Sequence, residues 1–98
     1  MKVLVVEDEK KIAAFVRKGL EAQGFVVDVA HLGDEGYTLA TTQPYDAAIL
    51  DIMLPDSDGL DICKGIRSHP ELAHIPIIFL TARASETDRI VGLELGAN

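Results

Sequence analysis

Short apolar runs alternate with helix-like patterns along this chain, and that alternation limits it to a few folds. Residues 3–6, 46–50 and 75–80 form nearly continuous apolar runs, as expected of strands buried on both faces of a parallel sheet. Between these runs, apolar residues recur at the three- and four-residue spacing of amphipathic helices. The pattern therefore predicts an α/β fold with an open parallel sheet built from βαβ units.

Capping residues and helix-stopping residues set the boundaries of the other elements. Helices are predicted at residues 9–22, 34–42, 58–68 and from Ser85 onward. Gly24 stands where a helix C-terminal cap belongs, and Ser57 or Asp58 supplies the N-cap of the third helix. Residues 25–30 contain Asp28 among apolar residues, which is typical of an edge strand with one wetter side.

Acidic side chains and a hydroxyl follow the predicted strands at the point where each strand ends. Glu7 and Asp8 follow the first strand, Asp51 follows the third and Thr81 follows the fourth. In an open parallel sheet the active groups lie beyond the carboxyl ends of the strands, so these side chains should converge. Carboxylates so close together repel, and one would hold a proton unless a cation neutralised the cluster. A hard divalent ion with oxygen ligands, Mg²⁺ above all, meets that need.

Composition narrows the choice of partners and compartment. The 98 residues are enough for one small domain, and 48% hydrophobic with 26% charged residues is typical of a globular chain. A net charge of −7 argues against direct binding of nucleic acid or of an anionic membrane surface. No apolar run is long enough for a signal peptide or a membrane span. The single Cys63 excludes an internal disulfide, favours a reducing cytosol, and is expected to be a small core residue.

The chain resembles the receiver domain of bacterial two-component response regulators, in particular the OmpR-like subclass that controls winged-helix DNA-binding domains. The resemblance covers the whole chain and is carried by the segments VLVVEDE, DAAILDIMLP, DGL, PIIFLTAR and GLELGA. It implies a flavodoxin-like (CheY-like) sheet of order 2-1-3-4-5. Only the first four strands are recognisable here, so the chain, residues 1–98, is expected to be a C-terminally truncated receiver without an output domain.

The resemblance assigns roles to the acidic residues. Asp51 would accept a phosphoryl group from a sensor histidine kinase, and the acyl phosphate would switch a DNA-binding output domain. Asp8, Asp51 and the backbone carbonyl of Met53 would bind Mg²⁺, or alternatively Mn²⁺, and Glu7 would act through water. The Thr81 hydroxyl and the N–H of Ala82 would bind the phosphoryl oxygens.

The expected departures from the family concern the end of the chain. The family's lysine, at the end of strand five, is missing here, as are the fifth strand and the last helix. We therefore expect this chain to bind the metal without completing the conformational switch. The exposed edge of strand four would favour pairing with a second copy as a homodimer. A cytoplasmic location and no membrane or nucleic-acid contact are also implied.

Two other functions stay open at this point. The first is a chain inert in signalling that acts only as a folding or dimerisation unit. The second is a magnesium-dependent phosphatase with an aspartate nucleophile, but enzymes resembling the haloacid-dehalogenase group carry a second acid two residues later, where this chain has Met53. We therefore expect no enzyme in the usual sense, only a domain that assists its own phosphorylation and dephosphorylation.

Several single residues have simpler interpretations. A lone acid at Asp8 would more often cap a helix than bind a metal. Asp56, Asp58 and Gly59 resemble part of a calcium loop, but its first position would be Leu54 and its twelfth Gly65, so turn and cap roles are expected for all three. His69 and His74 fall in a predicted polar loop, residues 68–74, where solvated histidines are more common than metal ligands.

Overall fold

The computed structural model describes residues 1–80, in which helices alternate with the strands of one parallel sheet. In chain order the elements are β1 (Lys2–Val6), α1 (Lys10–Ala22), β2 (Val26–Ala30), α2 (Gly33–Thr42), β3 (Ala47–Asp51), α3 (Gly59–Arg67), a 3-10 helix (Pro70–Leu72) and β4 (Ile77–Leu80). The strand order is β2-β1-β3-β4, which confirms the predicted α/β class and the 2-1-3-4 order. The helix expected from Ser85 onward lies outside the described residues.

Parallel pairing brings the carboxyl ends of the strands to one edge of the sheet. Val6 of β1 is opposite Leu50 of β3, and Asp51 is opposite Leu80 of β4. The residues that follow β1 therefore lie beside the last residue of β3. Within residues 1–80, β4 pairs with β3 alone, so its pairing with a second copy remains a prediction.

The core lies on both faces of the sheet because alternate residues of each strand point to opposite sides. On one face Leu4, Leu50 and Phe79 pack with residues of α2 and α3, including Ile66. On the other face a smaller cluster joins Val3, Val5, Val27 and Ile49 to the half-buried Val16 and Leu20 of α1. Cys63 is buried in the larger cluster, as the helical spacing predicts.

The predicted edge strand is confirmed in β2, and Asp28 joins it to β1 and to the segment that precedes β3. The Tyr45 hydroxyl donates a 2.7 Å hydrogen bond to Asp28, and Lys2 Nζ lies 3.5 Å from the same carboxylate. The Tyr45 hydrogen bond, with help from Lys2, lowers the pKa of Asp28. Asp28 is therefore stabilised as a charge on the wetter side of an edge strand.

The segment between α3 and β4 differs from the predicted polar loop. Pro70 begins a short 3-10 helix, because its fixed φ suits the first turn of a helix. Arg67 Nη1 then donates to the carbonyls of Ala73 at 2.9 Å and Ile75 at 2.6 Å. These contacts hold the chain outside the sheet, so β4 begins at Ile77 rather than at residue 75.

The two histidines of this segment have different surroundings. His74 is exposed, as expected. The expectation for His69 was wrong, because His69 is half-buried and its Nε2 lies 3.0 Å from the Tyr37 hydroxyl of α2. The pairing joins α2 to the segment between α3 and the 3-10 helix, which is distant in sequence, so a local pattern does not reveal it. None of the helices within residues 1–80 has the length and apolar character needed to cross a bilayer.

Candidate functional site

Three carboxylates meet at the carboxyl edge of the sheet. Asp51 ends β3, while Glu7 and Asp8 directly follow β1. One oxygen from each residue lies within 4.8 Å of the others. Asp51 is 1% exposed and Glu7 is 4% exposed, whereas Asp8 is open to solvent. The site therefore combines two buried carboxylates with one that is exposed to solvent.

Backbone N–H groups stabilise the two buried carboxylates only in part. Glu9 donates to Glu7 Oε2 at 3.0 Å, and Met53 donates to Asp51 Oδ1 at 3.1 Å. Burial raises the pKa of Glu7 to about 7; the Glu9 N–H opposes this effect and the Asp51 charge adds to it. Burial also raises the pKa of Asp51, again against its backbone N–H. The metal-free cluster thus holds a proton more strongly than ordinary carboxylates do.

The donor set fits a hard divalent cation. All three side chains offer carboxylate oxygens, which suit Mg²⁺ and Mn²⁺ better than they suit softer metals. A bound cation would replace the proton that the crowded carboxylates otherwise retain. The arrangement is therefore compatible with Mg²⁺, and Asp8 is the ligand candidate that is exposed to solvent.

The loop from residue 52 to residue 58 folds back against β3. Met53 and Asp58 form an isolated antiparallel bridge, and the Gly59 N–H donates to the Ile52 carbonyl at 2.9 Å. Gly59 packs so closely that a Cβ there would overlap the Asp51 carbonyl oxygen. The Asp58 side chain accepts the Leu60 N–H at 2.8 Å, which makes Asp58, rather than Ser57, the N-cap of α3.

Two residues near the site make long-range hydrogen bonds that sequence patterns did not predict. His31, directly after β2, donates from Nδ1 to the Glu7 carbonyl at 2.9 Å. The sequence did contain a signal for His31, because it directly follows a predicted strand, as the acidic residues of the site do. Asp56 accepts backbone N–H groups from the start of α2, a pairing across 23 residues that no local pattern reveals.

The structure brings together some of the residues expected at the site. Glu7, Asp8 and Asp51 form the cluster, and the backbone of Met53 adjoins it through the bond to Asp51. The Met53 side chain points outward and is 64% exposed. Thr81 and Ala82 lie outside the described residues.

A family model described as the response regulator receiver domain matches residues 3–98. The chain belongs to this family. The receiver is 52% identical over 98 residues to the transcriptional regulatory protein CusR of Escherichia coli strain K12, a match that covers all of this chain and 42% of CusR. The resemblance to receivers of two-component transcriptional regulators is thereby confirmed, and the chain spans less than half the length of such a relative.

Solved structures agree with the family assignment. A putative response regulator from Chloroflexus aurantiacus superposes with a TM-score of 0.85 at 35% identity, covering 99% of this receiver and 80% of that chain. The response regulator TrrA of Thermotoga maritima, solved in complex with Mg²⁺-BeF, gives a TM-score of 0.78 at 34% identity, covering 85% and 70% of the two chains. The CheY-like fold is confirmed by these similarities.

Proposed function

We propose that this receiver accepts a phosphoryl group on Asp51 from a phosphohistidine of a sensor kinase and thereby regulates a transcription-controlling output domain. The observation that carries the proposal is the buried Asp51 at the end of β3, beside Glu7 and Asp8, in a chain of the receiver family. A cytoplasmic location and a DNA-binding output belong to the same proposal, as does the one-domain organisation of residues 1–98.

The transfer exchanges one phosphorus bond for another. An Asp51 carboxylate oxygen forms a P–O bond while the P–N bond to the kinase histidine breaks, and the histidine nitrogen keeps the electron pair and takes a proton. Alignment of the carboxylate is the chief requirement of such a transfer. The Met53 N–H donates to Asp51 Oδ1 and so helps to orient the carboxylate for this transfer.

Asp8, Asp51 and the Met53 carbonyl would hold Mg²⁺, and Glu7 would contribute through water. When bound, the ion neutralises the carboxylates and the oxygens of the incoming phosphoryl group. Support comes from the oxygen-only donor set and from the similar TrrA, which was solved with Mg²⁺-BeF. Thr81 and the Ala82 N–H would bind the phosphoryl oxygens.

Two alternatives are less well supported. A phosphatase of the aspartate-nucleophile type needs an acid two residues after the nucleophile, and Met53 offers only an exposed thioether there. A chain inert in chemistry would have no reason to bury two acids side by side, since their crowding costs stability. The acceptor function therefore accounts best for the cluster.

Treatment with acetyl phosphate and Mg²⁺, followed by intact-mass measurement, tests the proposal. We expect one phosphoryl group to be added to the wild type and none to Asp51→Asn. Asp61→Asn is the matched control, because it removes the same charge from an exposed position in α3 and should be labelled normally. Steady release of phosphate would indicate a phosphatase instead, and a folded but unlabelled wild type would indicate an inert chain.

A further inference from the structure

The loop after β3 is attached to a helix other than the one it leads into. At its tip, Asp56 accepts the Gly33 N–H on Oδ1 at 2.7 Å and the Asp34 N–H on Oδ2 at 3.0 Å. These donors are the first two residues of α2, whose own N-cap residue, Leu32, makes no side-chain cap. Asp56 therefore caps α2 from a distant segment and satisfies two N–H groups that a helix start leaves unpaired.

Close packing attaches the same loop to α2 a second time. The Ser57 side chain lies against Gly33 so tightly that a Cβ on Gly33 would overlap the Ser57 hydroxyl oxygen. Gly33 is itself buried. The tip of the loop is thus held by two hydrogen bonds and by a contact that only glycine permits.

The other end of the loop reaches the acceptor. The Met53 N–H holds Asp51 Oδ1, and Met53 also pairs with Asp58 across the loop. Asp56 lies between these two paired residues, so a shift of the tip is transmitted to the backbone of Met53. Since the Met53 carbonyl is a proposed metal ligand, the position of that backbone affects both the acceptor and the ion.

We propose that Asp56 is a positioning residue, which holds the Met53 backbone in the geometry of the acceptor site by anchoring the loop to α2. The inference rests on the proposed function, because it gives Asp56 a part in the metal binding of that site. Residues that orient ligands without touching the metal usually change metal affinity by about ten-fold or more when removed. Asp56 would act in this way, because it holds the loop that contains Met53 against α2 without touching the metal.

Charge and geometry have to be separated, because any acid near the site also attracts a cation. Asp56→Ala removes the charge and both hydrogen bonds. Asp56→Asn removes the charge and keeps one acceptor oxygen, so it retains one of the two hydrogen bonds and loses the other, because an amide nitrogen cannot accept. Asp61→Ala removes an equal charge from the exposed surface of α3 and leaves the loop intact.

Titration with Mg²⁺ at fixed ionic strength, followed by amide NMR shifts, compares these variants with the wild type. We expect Asp56→Ala to weaken Mg²⁺ binding by about ten-fold and Asp56→Asn to weaken it less, with Asp61→Ala close to the wild type. Equal weakening in Asp56→Ala and Asp56→Asn would overturn the proposal in favour of charge, and a wild-type affinity in Asp56→Ala would overturn it outright. Asp56→Ser, which keeps one shorter acceptor, replaces the alanine variant if that variant unfolds.

Amide hydrogen exchange in the metal-free protein supplies a test that does not depend on the proposed function. In Asp56→Ala we expect faster exchange at Gly33 and Asp34, which lose their acceptor, and also at Met53. Faster exchange at the two helix residues with an unchanged Met53 amide would overturn the positioning role. A wild type that binds no Mg²⁺ would refute the proposed function, while the Met53 amide would still decide the role of Asp56.

Discussion

At the scale of single residues, the acidic cluster is held together against its own repulsion. Glu7 and Asp51 are buried beside each other, and each accepts a backbone N–H that stabilises its charge. Burial outweighs those hydrogen bonds, so both pKa values are raised. A site of this kind is less stable empty than occupied, which is expected of a binding site rather than of a structural core.

The raised pKa of Glu7 makes the metal-free protein less stable as the pH rises. The pKa of Glu7 is 4.5 in an unfolded chain and is raised to about 7 in the folded one. Between these two pH values the folded state therefore binds more protons than the unfolded state. The stability contributed by the protonated form is complete below the lower value and is lost as the pH passes through the upper one. The difference between the two pKa values corresponds to about 3 kcal/mol.

Denaturant unfolding of the metal-free protein across this pH range measures the effect. We expect the free energy of unfolding to fall as the pH rises, and the fall to be smaller in Glu7→Gln. The remaining slope would come from Asp51, whose pKa is raised in the same direction. Glu71→Gln, at an exposed position, should keep the wild-type slope. Identical slopes for the wild type and Glu7→Gln would contradict the assignment.

At the scale of elements, the hydrophobic period located the strands and helices, and capping residues located most of their ends. The observed α1 and α2 begin within one residue of the predicted starts and end at the predicted residues, and Gly24 has the positive φ of 91° that a helix C-terminal glycine adopts. The start of β4 was misplaced, because Arg67 and the 3-10 helix hold apolar Ile75 outside the sheet. Side-chain hydrogen bonds to distant carbonyls leave no periodic signal.

The start of α3 against β3 gives a prediction at this scale. Gly59→Ala would force a Cβ against the Asp51 carbonyl, so we expect a loss of about 1–3 kcal/mol in unfolding free energy. Gly19→Ala is the matched control, since Gly19 lies within α1 and a Cβ added there would meet open space. That variant should instead gain about 0.5–1 kcal/mol, from the higher helix propensity of alanine.

Thermal and denaturant unfolding of the two variants decide between these expectations. A Gly59→Ala protein as stable as the wild type would show that α3 is free to move away from β3. In that event the close approach would not fix the acceptor strand. A destabilised Gly19→Ala protein would indicate that α1 has a contact at Gly19 that the structure does not contain.

At the scale of the whole molecule, the binding of a cation only to the folded state should stabilise the protein. The net charge of −7 adds a general attraction for cations to the specific cluster. Ligand linkage predicts about 1.4 kcal/mol of extra stability when free Mg²⁺ is about ten times its Kd. We expect the melting temperature to rise when Mg²⁺ is added and to fall back to its metal-free value when the ion is chelated.

Asp8→Asn separates specific binding from the general attraction. It removes one proposed ligand and should abolish most of the stabilisation, whereas Asp61→Asn removes the same charge elsewhere and should retain it. Differential scanning calorimetry with and without chelator measures the shift. An equal Mg²⁺ effect in Asp8→Asn and in the wild type would contradict a site at the carboxyl edge.

Sequence patterns predicted the α/β class, most element boundaries and the convergence of Glu7, Asp8 and Asp51. These features follow from the spacing of apolar residues and from the position of acids at strand ends, which are local properties of the chain. The family resemblance supplied the strand order and the proposed roles.

The contacts that support the site become visible in the three-dimensional structure alone. The bond from Gly33 to Asp56 and the contact of Tyr37 with His69 join residues 23 and 32 positions apart. Such pairings depend on how the elements pack and on hydrogen-bond geometry, which no local period encodes. The acid cluster was therefore readable from the sequence, whereas the anchor of its loop on α2 was not.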